Sequence, residues 1–131
     1  MVSKLEKLEY YTGTFKPTER DVKKWFRILN DEIFDSVFET IPAIDIRIRR
    51  GAHAYFESYV QTKEPEYIYP KLCINKCYSS KKQFVEILGH EMIHYHQAIH
   101  GNPLGHGPSF HAWKETFNKK GLRLLGFGYD E

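Results

Sequence analysis

From Thr18 onward, apolar residues recur at the spacing of one helical face: Val22, Trp25, Phe26, Leu29 and Ile33. Thr18 can cap that face and Asp21 stands where a capping box needs a carboxylate, so the pattern predicts a helix from residue 18 to about 35. The period then changes. Ile44, Ile46 and Ile48 alternate with Asp45, Arg47 and Arg49, which predicts a half-buried strand turned at Gly51. Residues 52–60 and 66–74 are rich in Tyr, Phe and Val and predict two more strands around a loop at 63–65, the three forming a small antiparallel sheet. Pro70 has no N–H to give to a ladder, so its run is expected to have an edge or a bulge there.

A long helix is predicted over residues 81 to about 100, capped by Ser79 or Ser80 and ended near Gly101 and Pro103. Gly105, His106 and Gly107 then read as a loop. Pro108 suits the first turn of a last helix whose face is Phe110, Trp113 and Phe117, running to Gly121, with a short tail beyond it. The sum is an α+β fold: an N-terminal helix, a three-stranded sheet, the long helix and a further C-terminal helix. Residues 1–17 are polar with scattered Leu5, Leu8, Tyr10 and Tyr11 and read as an arm, leaving 18–131 as the domain.

The chain has 131 residues, 41% of them hydrophobic, which fits one core and leaves too little for two. No apolar run approaches the ~20 residues of a membrane span and no signal-peptide stretch opens the chain, so an intracellular protein away from the membrane is expected. The net charge of +2 gives no global field for polyanions. Any such contact must be local: Arg47, Arg49 and Arg50 after the first strand, with Lys23, Lys24 and Arg27 on the first helix, read as solvated faces, with DNA or RNA contact as the alternative. Cys73 and Cys77 supply only half of a four-ligand structural site and read as reduced thiols.

The histidines change the picture, because six of the seven lie between His90 and His111. His90-Glu91-Met92-Ile93-His94 falls inside the long predicted helix. His94 lies one turn along from His90 and about 40° round, so both rings can reach one metal ion. Glu91 projects about 100° from His90, amid the arc of Ile87, Phe84, Tyr95 and Leu88, whereas Lys82, Gln83, Glu86, Gln97 and His100 make the polar arc. A carboxylate on an apolar face is costly unless it serves a site, and here it can act as general base beside a metal-bound water.

Zinc suits neutral imidazoles and, at a catalytic site, takes three protein ligands. His106 is the best third ligand, because flanking glycines let its loop turn back. His111 is the next candidate. His100 has the spacing of a ligand in a related motif, but that motif breaks its helix with glycine where this chain has Gln97, and an unbroken helix carries His100 away. Tyr55, Tyr59, Tyr95 and Tyr129 are candidate oxyanion donors, each more commonly a packed aromatic.

His-Glu-Met-Ile-His followed by Gly-His-Gly-Pro-Ser-Phe, after a helix and three strands, resembles the SprT-like metalloprotease domain, the zincin family of the Spartan and Wss proteases of DNA–protein crosslink repair. The resemblance spans roughly residues 18–125. It implies a minimal zincin-like fold and a zinc endopeptidase acting on protein or peptide substrates, with His90, His94 and His106 as zinc ligands and Glu91 as catalytic base. Many relatives continue into a four-cysteine zinc ribbon; with two cysteines, this chain is expected to be the catalytic domain alone. The alternatives are a non-catalytic, metal-stabilised nucleic-acid- or protein-binding module and a zinc hydrolase of non-peptide amides.

Overall fold

In the computed structural model, residues 3–11, 13–49, 51–61 and 67–124 are described. The first helix, α1 (Glu19–Glu32), begins with the expected capping box: Asp21 N–H donates to Thr18 Oγ1 (3.2 Å) and Thr18 N–H to Asp21 Oδ2 (2.9 Å). Val22, Trp25, Phe26 and Leu29 are its buried face. It stops three residues before the predicted end, because Asp35 and Ser36 take positive φ values of 53° and 59°. Asn30 holds the turn that follows, accepting from Phe38 N–H and donating to Phe38 O, which seats Phe34 and Phe38 in the core.

The sheet has strands β1 (Ala43–Ile46), β2 (Ala54–Gln61) and β3 (Tyr67–Ile74), in the order β1-β3-β2. It is mixed, which corrects the antiparallel expectation: β2 pairs antiparallel with β3, but β1 pairs parallel with it, Ala43 opposite Lys71 and Ile46 opposite Ile74. The cause lies between β1 and β2, where the described residues 47–49 and 51–53 form no tight hairpin but pass the end of β3. Asn75 pins that crossing, its Nδ2 donating to Arg49 O and Ala52 O, both at 3.1 Å. The alternation of isoleucines therefore ends early, and Ile48 is 72% exposed. Pro70 lies in the central strand, one residue before the span that β1 covers, where one flank of β3 has no strand neighbour among the described residues. The predicted loop at 63–65 and the tail beyond Leu124 lie outside the described residues.

The long helix, α2 (Lys81–Ile99), is capped by Ser80, whose Oγ accepts from Gln83 N–H at 3.0 Å. It packs against β2, β3, α1 and the short helix α3 (Pro108–His111), and every residue from Phe84 to Tyr95 is buried. The expected polar arc is thus corrected in two places, since Glu86 and Gln97 are buried as well. Glu86 is covered from both chain ends: it accepts from Tyr10 OH, from Arg123 N–H (2.7 Å) and from Arg123 Nη2 (3.2 Å). Burial and that carboxylate push the Tyr10 phenol well above its ordinary range. Leu5 is fully buried, and Phe15 and Tyr78 exchange backbone hydrogen bonds.

Gly89 allows the last helix to approach, because a Cβ there would stand 2.8 Å from Phe117 Cε2. That last helix is two pieces, α3 and α4 (Lys114–Lys119), where one was expected. The break falls at Ala112 and Trp113, yet Phe110 and Phe117 both remain fully buried. No described helix is long and apolar enough to cross a membrane.

Candidate metal centre

His90, Glu91 and His94 lie in the buried middle of α2, and His106 reaches them from the loop between α2 and α3. The loop can return because Gly101 takes a φ of +70° just past the helix end, a conformation that favours glycine. His90 Nε2 is 3.3 Å from His94 Nε2 and 3.1 Å from His106 Nε2, and one ring nitrogen from each residue lies within 4.8 Å of the other two. Two of these imidazoles are buried and the third is half-buried. The Phe110 ring backs all three, with centroids 4.7 Å from His90, 5.5 Å from His94 and 4.8 Å from His106. Glu91 is fully buried, its Oε2 3.9 Å from His90 Nε2.

The donor set suits a metal ion. Tetrahedral coordination at ~2.0–2.1 Å separates two ligand nitrogens by about 3.3–3.4 Å, close to the spacings around His90. Among the described residues, only these three histidines form such a group, so they can hold an ion together. The other two candidates stand apart. His100 is exposed and its Nδ1 is 2.8 Å from His96 O, while His111 is exposed on α3. His96 stacks on His100, with ring centroids 4.1 Å apart, and its pKa is held below the ordinary value by burial and then by His100.

Sequence reasoning missed Gln97. Its Oε1 is 2.8 Å from His94 Nδ1 and accepts from Gly105 N–H at 3.2 Å; its Nε2 donates to Gly105 O (3.0 Å) and Ser109 Oγ (2.9 Å). A signal existed, since Gln97 follows His94 by three residues and so lies beside it on the helix.

The oxyanion candidates are engaged elsewhere where they are described. Tyr95 OH donates to Thr40 O (3.2 Å) and its ring stacks on Phe38; Tyr55 OH accepts from Arg49 Nη1 (2.9 Å). The Tyr59 side chain and Tyr129 lie outside the described residues. Tyr78, not considered from sequence, is buried and donates to His53 O at 2.6 Å; burial raises its pKa, and the charge of Glu91 adds to that.

Much of the basic patch is committed within the fold. Arg47 binds Asp45 (2.6 Å) and holds its carboxyl below the usual range. Arg49 donates to Asp45 O and Ile74 O and is nearly buried, so it offers little to a polyanion. Lys23, Lys24 and Arg27 are exposed on α1, with Lys23 3.6 Å from Glu19, and Arg50 lies outside the described residues. Cys73 is buried, Cys77 is exposed and both are free thiols.

An α+β domain whose central helix and following loop bring three histidines to one point defines a class of candidate metal-dependent hydrolases. The family model of the SprT-like family matches residues 22–125, most of the chain, and the chain belongs to that family. The family is metal-dependent and generally of the zincin metalloprotease type. Comparison with curated proteins gives no match.

Proposed function

We propose that this chain is a zinc-dependent endopeptidase of minimal zincin-like architecture that hydrolyses peptide bonds in protein substrates, DNA-associated proteins among them. The observation that carries the proposal is the meeting of three imidazole nitrogens around His90 with a fully buried carboxylate, Glu91, beside them. His90, His94 and His106 would hold the zinc, which when bound supplies a Lewis acid that polarises a carbonyl and lowers the pKa of water toward ~7.

Glu91 has the general-base role. Its carboxylate takes a proton from the attacking water at one Oε and returns it to the leaving amine. The Phe110 ring excludes water behind the imidazoles and fixes their planes. Among the described residues β2 is an edge strand, and α2 packs on it, so an extended peptide can add to its outer flank through backbone hydrogen bonds that do not depend on side-chain identity.

The test compares wild type with Glu91→Gln on a denatured protein and on a DNA-bound protein. The variant should retain zinc and lose cleavage by about 10²–10⁴-fold, the range for a general base. Equal activity in both proteins would remove Glu91 from the mechanism, and no cleavage by the zinc-loaded wild type would favour the metal-stabilised binding module. Arms with single- and double-stranded DNA, titrated with salt, test nucleic-acid contact through Lys23, Lys24 and Arg27. Phosphate contacts predict an affinity that falls steeply with salt.

A further inference from the structure

Gln97 is 1% exposed, and both ends of its carboxamide are occupied. Two contacts fix which end is which. Gly105 N–H can only donate, so the atom beside it is Oε1; Gly105 O can only accept, so the atom beside it is Nε2. The atom 2.8 Å from His94 Nδ1 is therefore the oxygen, which can only accept, and His94 Nδ1 must carry a proton. A neutral His94 then has its lone pair on Nε2, the nitrogen that faces His90 Nε2 at 3.3 Å. The same carboxamide grips both backbone groups of Gly105, the residue before His106, and reaches Ser109 at the start of α3.

We propose that Gln97 is a positioning residue of the metal centre: one buried carboxamide selects the His94 tautomer and clamps the His106 loop to α2. Its two tasks are coupled, because the orientation that satisfies Gly105 is the one that presents Oε1 to His94. The glutamine also explains how the helix continues past His94 and still delivers a third histidine. The chain runs five residues beyond His94 in α2, turns at Gly101 and is tied back at Gly105. The metal-binding part of the inference rests on the proposed zinc site, whereas the tautomer and the clamp do not.

The experiment uses the full chain, wild type, Gln97→Met and Gln97→Glu, with and without zinc. Long-range ¹H–¹⁵N NMR of the imidazole nitrogens reports which nitrogen of His94 is protonated, and competition with a chromophoric chelator reports zinc affinity. Wild type should show the Nδ1–H form of His94 in both states, with a slowly exchanging ring proton. Gln97→Met, near in shape but without the polar atoms, should lose that protection and bind zinc 10–100-fold more weakly, the usual effect of losing an outer hydrogen-bond partner. Gln97→Glu keeps the acceptor for His94 and sets an oxygen against Gly105 O, so it should keep the Nδ1–H form while its zinc affinity falls by about tenfold. If Gln97→Met does not fold, Gln97→Glu carries the test alone.

An Nε2–H form of His94 in the wild type would overturn the tautomer assignment, and unchanged zinc affinity in Gln97→Glu would overturn the clamp. A wild type that binds no zinc but shows the Nδ1–H form would sink the reading of the site and leave the role of Gln97 within the fold standing.

Discussion

His106 and His100 are both near the end of α2 in sequence, yet they have opposite surroundings. His106 Nε2 is 3.1 Å from His90 Nε2, whereas His100 is exposed with Nδ1 on the carbonyl of His96. His106→Ala should therefore weaken zinc binding by more than the 10–100-fold of an outer-shell change, and His100→Ala should leave it within about twofold. Equilibrium dialysis with metal analysis decides the order, and a larger loss in His100→Ala would mean that the third ligand is misassigned. The spacing of His90, Glu91 and His94 could be read directly because an α-helix fixes angle and rise per residue. Gln97 and Glu86 could not be read that way. Their polar arc looks solvent-facing on a wheel, and what buries them is chain from far away: Tyr10 and Arg123 for Glu86, the 105–109 segment for Gln97.

At the scale of elements, local rules located α1, α2 and the strands, and contacts between elements decided the rest. The parallel partner of β3 depends on a seven-residue crossing pinned by Asn75, which has no hydrophobic period to announce it. The break between α3 and α4 likewise leaves Phe110 and Phe117 on the inside, so their apolar spacing alone cannot reveal it. The packing of α4 on α2 hinges on Gly89, next to His90, the first of the candidate metal-site histidines. A methyl group there would meet Phe117 Cε2 at 2.8 Å and Cζ at 2.9 Å, closer than real Cβ contacts allow. Gly89→Ala gains about 1 kcal/mol of helix propensity. Overpacking a tight core costs about 1–3 kcal/mol, so a net loss of up to about 2 kcal/mol is expected. Chemical denaturation should show a lower midpoint with an unchanged m-value. A higher midpoint would mean that the Phe117 ring moves aside without cost.

The proposed metal centre would join the site to the stability of the whole molecule, because its candidate ligands come from the buried middle of α2 and from a loop whose neighbours 101–104 are exposed. An ion that binds only the folded chain adds stability by mass action, about 4 kcal/mol when free zinc is a thousandfold above Kd. For a domain of this length that is a rise in Tm of about 10–20 °C over the chelator-treated protein. Calorimetry with chelator, then with zinc restored, measures it. Glu91→Gln should show the full shift, since on the proposed assignment it removes a base and no ligand, whereas His106→Ala should lose most of it. The comparison separates two properties that an activity assay confounds, the holding of the metal and the chemistry beside it. A Tm that ignores both chelator and zinc would mean that the three imidazoles do not hold an ion in the folded chain, and the endopeptidase reading would fall with them.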